Sequence, residues 1–191
     1  MPLTLKAPVF HEEIIGKSRF IAKAAPIGSE EEALVFLKEN REEEATHNPY
    51  AYKIGNLYRF FDDGEPPGTA GRPILHALEA QGLEGVVVLV VRYFGGVKLG
   101  ASGLVRAYGR VAAEALRRGA KAPLVEKALL EFRVPYALVD RVYRLLKASS
   151  LAEARYDAQG VVFRVEVARP EMEAFRRALE EETRGRVEWR A

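Results

Sequence analysis

The sequence predicts an α+β protein built of two domains. Residues before Ala122-Pro123 mix short strand patterns with helical patterns, and residues beyond this pair follow the regular order β-α-β-β-α-β. Ala122-Pro123 is therefore the expected boundary, and the predicted domains span residues 1–123 and 124–191. With 48% hydrophobic and 29% charged residues, the composition lies in the globular range.

The first domain begins with strand patterns. Residues 10–27 predict two short strands around a Gly16-Lys17 turn. Ser29 then begins a helix, since Glu32 three residues later completes a capping box. Residues 50–61 predict a second hairpin. The acidic residues on the Ser29 helix are interpreted as a solvated face rather than an electrostatic patch.

Two further helices flank an unbroken apolar run. The first helix carries an apolar stripe of Ile74, Leu75 and Leu78 and ends at Gly82. The run VVVLVV, Val86 to Val91, has no alternation, which predicts a strand covered on both faces. A glycine-rich loop follows it, and a helix is expected from about Leu104 to Arg118.

The second domain predicts four strands and two helices. Its order is typical of the split-βαβ, ferredoxin-like arrangement, with all strands expected in one antiparallel sheet. The expected elements are a strand over 126–134, a helix over 137–149, strands over 152–156 and 161–167, a helix opened by Pro170, and a strand over 186–189.

Composition excludes several classes of protein. The chain has no cysteine, so it has no disulfide framework, thiolate metal site or cysteine nucleophile. Neither a signal peptide nor an apolar run long enough for a membrane span is present, which predicts a cytoplasmic protein without membrane association. Few Asn and Gln residues, with 20 Arg against 9 Lys, suggest a thermophile. A net charge of +2 does not identify a partner, and no cofactor is predicted.

The first candidate site is the glycine-proline loop that follows residue 61. Closely spaced carboxylates suit a hard cation such as Mg²⁺, and the loop also suits a phosphate. The other interpretation is a tight loop whose acidic residues cap turns. The candidate residues are Asp62, Asp63, Glu65, Thr69 and Arg72, of which Asp62, Asp63 and Glu65 are the weak candidates for metal ligands.

The second candidate site joins the buried strand to the next helix. A helix start binds anions through free N–H groups, and glycines allow close approach. The candidate anion or nucleic-acid residues are Arg92, Lys98, Gly100, Ser102, Arg106 and Arg110.

Structural interpretations of these residues stay open. Arg110 could pair with Glu114, and Arg106, expected in the first helical turn, could pair with an acidic residue of the first candidate loop. His47 is interpreted as structural rather than as an acid or base.

Three motifs in order resemble one family. They are THNPYAYKIG, DDGEPPGTAGRPIL and VRYFGGVKLGASGLVRAYG, within residues 46–109. Together they closely resemble the IMPACT family, including its bacterial YigZ branch. The sequence departs from the family pattern at Pro67, where serine is usual, and at Ala101-Ser102, where Thr-Gly is typical.

This resemblance carries expectations about fold and function. It implies an N-terminal domain like a small ribosomal protein, with a left-handed βαβ crossover, and a ferredoxin-like C-terminal domain. It also implies a link to translation, since the eukaryotic members regulate translation by binding a protein that activates a stress kinase.

The leading hypothesis is a non-enzymatic, translation-linked regulator. It would bind RNA, the ribosome or a translation-associated protein through the basic glycine-rich loop and the helix after it. The alternatives are an enzyme acting on a phosphorylated or nucleotide ligand and a purely protein-binding module. The sequence does not predict the oligomeric state.

Overall fold

The structure, a computed structural model, describes residues 2–146 and 151–190. The chain divides into two compact units, Met1–Leu124 and Val125–Ala191. Each unit contains its own antiparallel sheet with helices packed on it, which confirms the predicted α+β class. No helix in these two described stretches is long and apolar enough to cross a membrane.

The described residues of the first unit form seven strands and three helices. In chain order they are β1 (Leu3–Leu5), β2 (Val9–Ile15), β3 (Ser18–Pro26), α1 (Glu30–Asn40), β4 (Tyr50–Ile54), β5 (Leu57–Phe61), α2 (Gly71–Ala80), β6 (Val86–Tyr93), α3 (Gly100–Arg118) and β7 (Lys121–Pro123). Five strands form one sheet in the order β2-β3-β6-β4-β5. The side chain of Ser29 caps α1, as its sequence pattern predicts.

Strand β6 lies at the centre of this sheet and is covered on both faces. Val86, Val88 and Val90 pack with α2 and α3, whereas Val87 and Leu89 pack under α1. The unbroken apolar run is thereby explained, because a strand buried on two faces needs no polar side.

The two helical crossovers of this sheet have opposite hands. Strands β3 and β4 both pair antiparallel with β6, so they are parallel and α1 connects them across one face. Strands β5 and β6 are parallel for the same reason, and α2 connects them across the other face. The second crossover moves the opposite way along the sheet with its strands reversed. Strand direction, the direction along the sheet and the face that carries the helix are thus all reversed between the two crossovers. Reversing all three changes the hand, so one of the two crossovers is left-handed, whereas such connections are usually right-handed.

A short second sheet was not predicted. Strand β1 pairs antiparallel with β7, with Leu5 opposite Lys121, and the Leu5 side chain is buried. The segment interpreted as a domain boundary is thus a paired strand that holds the start of the chain. Gly119 ends α3 with an ordinary negative φ, and a Cβ there would lie 2.8 Å from Leu5.

The second unit has the predicted β-α-β-β-α-β order in one antiparallel sheet. Its elements are β8 (Lys127–Val134), α4 (Val139–Leu145), β9 (Leu151–Asp157), β10 (Gly160–Ala168), α5 (Met172–Thr183) and β11 (Glu188–Arg190), in the sheet order β11-β8-β10-β9. The first predicted helix begins as a 3₁₀ turn, Tyr136–Leu138, and α4 ends at Leu145. The expected end of that helix lies partly outside the described residues.

Candidate functional site

Two loops of the first unit lie at the same edge of its sheet. The first loop, residues 62–70, follows β5, and the second loop, residues 94–99, follows β6. Because β5 and β6 are parallel, their carboxyl ends lie at one edge, and the helices that follow both pack on one face. The structure therefore brings together the two segments that the sequence singles out.

A buried ion pair joins the first loop to β6. Arg92 donates from Nη1 to both carboxylate oxygens of Glu65, at 3.0 and 2.7 Å. The hydroxyl of Tyr108 on α3 donates to the same carboxylate. Glu65 is 6% exposed, Arg92 5% and Tyr108 0%. We call these three residues the Glu65 cluster. Burial, reinforced by the Glu65 carboxylate, raises the pKa of Tyr108, so its hydroxyl stays a donor.

Ser18 and His47 complete the surroundings of the cluster. Arg92 donates from Nε and Nη2 to the hydroxyl oxygen of Ser18, at 3.3 and 3.2 Å. Nδ1 of His47 lies 2.7 Å from the backbone oxygen of Asp63, and Nε2 lies 3.3 Å from the Glu65 carboxylate. A carbonyl oxygen only accepts, so Nδ1 is the donor. Nδ1 of His47 is thus bound within the first loop, and the interpretation of this residue as structural stays a prediction.

Asp62 organises the first loop and caps α2. Its Oδ1 accepts N–H bonds from Ala70 and Gly71, at 3.2 and 2.9 Å, and its Oδ2 accepts one from Gly68 at 3.0 Å. Helix α2 has no side-chain cap of its own at Ala70, so Asp62 supplies a negative charge to that helix start.

The other candidate residues of the first loop also serve its conformation. Asp63 accepts an N–H bond from Asn48 at 2.7 Å. The Thr69 hydroxyl is buried and donates to a backbone oxygen of its own turn. Arg72 is exposed and lies over the ring of Phe60 at 5.0 Å.

These contacts argue against the prediction that the three acidic residues of the first loop are metal ligands. Asp62 and Asp63 are occupied by backbone N–H groups, and Glu65 is bound by Arg92 and Tyr108. Across residues 2–146 and 151–190, no group of three or more His, Cys, Asp or Glu side chains could hold a metal ion.

The second loop lies against the turn between β2 and β3. A Cβ at Gly95 would lie 1.8 Å from the backbone oxygen of Lys17, so only glycine allows this approach. The N–H of Phe94 donates to the Thr46 hydroxyl at 3.0 Å. These contacts bring the backbone of Lys17 beside the second loop.

Helix α3 begins one turn earlier than the sequence predicts, at Gly100. Its first turn has no side-chain cap and no acidic residue, and both Gly100 and Ser102 are exposed. Arg106 therefore lies in the second turn rather than the first, where its Nε contacts the backbone oxygen of Ser102 at 3.4 Å. The start of α3 lacks the carboxylate that Asp62 supplies to α2.

The candidate cations divide into buried, paired and unpaired groups. The prediction that Arg92 binds an anion or a nucleic acid is wrong, because a buried arginine bound to Glu65 cannot reach a phosphate outside the fold. Arg110 pairs with Glu13 at 2.9 Å, not with Glu114 as the sequence suggested. Lys98 and Arg106 are exposed and pair with no carboxylate in the described part of the chain. The suggested pairing of Arg106 with the first loop is also wrong, since Arg92 makes that connection.

Sequence reasoning missed two residues of this edge. Lys17 is exposed, pairs with no described carboxylate and has a φ of 66° in the turn. Phe94 is 48% exposed, with the Arg92 guanidinium 5.6 Å from its ring centroid. The available signals were a lysine after the turn glycine and an aromatic residue before two glycines. We call Lys17, Phe94, Lys98 and Arg106, with the start of α3, the basic edge.

Known proteins resemble the chain over both units. The model of the Impact N-terminal domain matches residues 16–116, and that of a domain of unknown function (DUF1949) matches residues 132–186. A Thermus thermophilus protein named "IMPACT family member in pol 5'region" is 62% identical over 177 residues, which cover 91% of this chain and 98% of that protein.

More distant similarity is found in an animal protein and in a solved structure. "Protein IMPACT" of Xenopus laevis is 36% identical over 103 residues, which cover 49% of this chain and 33% of that protein. The crystal structure of a hypothetical protein is 32% identical and superimposes with a TM-score of 0.80, covering 100% of this chain and 96% of that one. With a family model over more than half of its length and a relative that it matches almost end to end, the chain belongs to the IMPACT family.

Proposed function

We propose that this chain is a non-enzymatic, translation-linked regulator that binds RNA through the basic edge. The observation that carries the proposal combines an uncapped helix start and an exposed aromatic ring with three exposed cations that have no carboxylate partner among the described residues. Most other basic side chains of the first unit are paired with carboxylates.

Each part of the basic edge has a use in RNA binding. Lys17, Lys98 and Arg106 would neutralise phosphates, which provides affinity without sequence discrimination. Free N–H groups at the start of α3 would bind a phosphate oxygen, helped by the helix dipole. Phe94 offers a surface on which an unpaired base can stack. A single-stranded RNA suits this combination of contacts.

Membership of the IMPACT family supports the link to translation. The family resemblance implies translational regulation for its eukaryotic members, and the "Protein IMPACT" relatives share sequence with this chain. RNA contact by the basic edge would place such a regulator at the ribosome or on a translation-associated RNA.

The contacts of the first loop disfavour the enzymatic alternative. An enzyme that transfers phosphate would use Asp62, Asp63 or Glu65 to hold Mg²⁺, and these carboxylates are bound within the protein. The start of α3 could still accept a phosphorylated small molecule, so the experiment must separate a small ligand from RNA.

The experiment is fluorescence anisotropy of a labelled single-stranded RNA across a salt series. Lys98→Ala and Arg106→Ala should weaken binding to RNAs of different sequence alike, and each lost contact should reduce the salt slope by about 0.7. Lys38→Ala is the matched control, since Lys38 is an exposed, unpaired cation on the opposite face of the sheet. The thermal stability of these variants should change by about 0.5 kcal/mol at most.

Two results would contradict RNA binding by the basic edge. One is an RNA affinity and salt slope that neither variant changes. The other is thermal stabilisation by ATP with Mg²⁺ in the absence of RNA binding, since a ligand at 100 times its Kd stabilises by about 2.7 kcal/mol. That second result would favour the enzymatic alternative.

A further inference from the structure

A cavity of about 240 Å³ opens between α1 and the β4–β5 hairpin. It lies on the face of the sheet opposite α3, away from the helix that begins at the basic edge. Its apolar lining comes from Leu34, Leu37, Tyr50, Phe61 and Leu89. We call it the α1 cavity.

The walls of the α1 cavity are apolar, partly exposed and held in place. Leu34 is 51% exposed and Phe61 48%, whereas Leu37 and Leu89 are buried beneath them. The ring of Tyr50 lies 5.4 Å from that of Phe61. Burial and the Asp63 carboxylate raise the pKa of Tyr50. Exposed apolar side chains grouped at the mouth of one cavity make it a candidate interaction site.

The rim of the cavity is basic on its α1 side. Lys38 and Arg41 line it, and within the described residues neither has a carboxylate partner. The acidic residue of the lining is Asp63, whose carboxylate accepts the N–H of Asn48. An occupant that places a negative charge beside an apolar group would therefore match the rim.

The size of the cavity favours an anchoring side chain over a free small molecule. Small-molecule sites usually enclose about 300–1,000 Å³ and bury most of the ligand. The α1 cavity is smaller, and the exposure of Leu34 and Phe61 continues its apolar surface outward. Single aromatic side chains that fill such pockets dominate the binding energy of many protein interfaces.

We propose that the α1 cavity is a docking site for a partner protein that inserts an aromatic side chain flanked by Asp or Glu. The ring contacts Phe61, Tyr50 and Leu37, and the flanking carboxylates pair with Lys38 and Arg41. Because this site lies on the opposite face of the sheet from α3, one molecule could hold RNA and a protein at once.

The test is calorimetric titration of the whole chain with three short acetylated peptides. One has a central tryptophan between acidic residues, the second has the same tryptophan between lysines, and the third has alanine between acidic residues. The first should bind with a Kd of about 1 mM or tighter, and the other two should bind at least about tenfold more weakly.

Charge reversal at the rim makes the test specific. Lys38→Glu with Arg41→Glu should weaken the acidic peptide at least about tenfold and should increase affinity for the lysine peptide. Leu34→Asp should weaken both tryptophan peptides. All three side chains are exposed, so thermal unfolding should confirm that the variants stay folded. Lys98→Ala is the matched control and should leave peptide binding unchanged.

Three results would overturn the proposal. The first is no binding of the acidic tryptophan peptide at millimolar concentration. The second is equal binding of the acidic and lysine peptides, or binding that the rim variants leave unchanged. The third is a dimer, detected by sedimentation, that Leu34→Asp dissociates, because a second copy would then be the occupant. None of these results bears on RNA binding, which the other variants test.

Discussion

Removal of the Arg92 charge should destabilise the first unit strongly. In Arg92→Met, the Glu65 carboxylate keeps its buried position but loses both bonds from Nη1, at 3.0 and 2.7 Å. Breaking a buried pair by removing one partner costs about 3–5 kcal/mol, because an uncompensated charge stays buried. Tyr108→Phe removes only one hydrogen bond to the same carboxylate and should cost about 1.5–3 kcal/mol.

Urea denaturation followed by far-UV circular dichroism measures these changes. Circular dichroism is the suitable signal because the single tryptophan, Trp189, lies in the second unit. The double variant Glu65→Met with Arg92→Met replaces the ion pair by apolar side chains, so it should be more stable than Arg92→Met alone. The difference from additivity should exceed about 2 kcal/mol, since the two side chains are in direct contact.

The predicted energy of the Glu65–Arg92 ion pair can be refuted by experiment. Exposed ion pairs contribute about 0–1 kcal/mol. One contradicting result is that Arg92→Met lowers the free energy of unfolding by no more than that amount. The other is that the effects of Glu65→Met and Arg92→Met simply add in the double variant. Either result would show that Glu65 and Arg92 are not a strongly coupled buried pair. The reasoning from burial to stability would then be refuted.

Three further predictions concern the loops and α3. Gly95→Ala should disrupt the second loop, because its Cβ would lie 1.8 Å from a backbone oxygen; we expect a cost of about 1–3 kcal/mol in urea denaturation and weaker RNA binding. Asp62→Ala should cost about 1–3 kcal/mol by the same measurement, since three N–H groups lose their acceptor; an unchanged midpoint would show that water replaces it. Hydrogen bonds from the two arginines that follow it on α3 lower the pKa of Glu114 from 4.5 to about 2. The stability that Glu114 contributes is therefore present above pH 4.5 and lost as the pH falls towards 2, so Glu114→Gln and the original chain should converge in stability over that range.

Local patterns in the sequence determined most of the secondary structure. The Ser29–Glu32 capping box marks the start of α1, and the unbroken run from Val86 to Val91 identifies the central strand. These elements were predictable because caps and apolar periodicity depend on residues only a few positions apart. The order of elements in the second unit was predictable for the same reason.

Only the tertiary structure decided the partners of the charged residues. Arg92 and Lys98 both looked like cations of one anion-binding loop, yet Arg92 points into the protein and pairs with Glu65, 27 positions away. Arg110 likewise pairs across the fold with Glu13 rather than with a neighbour on its own helix. Such pairs depend on which strands and helices come together, and one-dimensional spacing carries no information about that.

The sequence by itself therefore determined the elements, the two glycine-rich loops and the family. Tertiary structure decided which loop has its charged groups bound within the protein and which loop leaves them exposed. The first loop is filled by its own Asp62 and Glu65, whereas the second leaves Lys98, Arg106 and the start of α3 exposed. The physical reason is that burial and long-range charge pairing, not residue type, decide whether a polar side chain stabilises the fold or stays free to bind a partner.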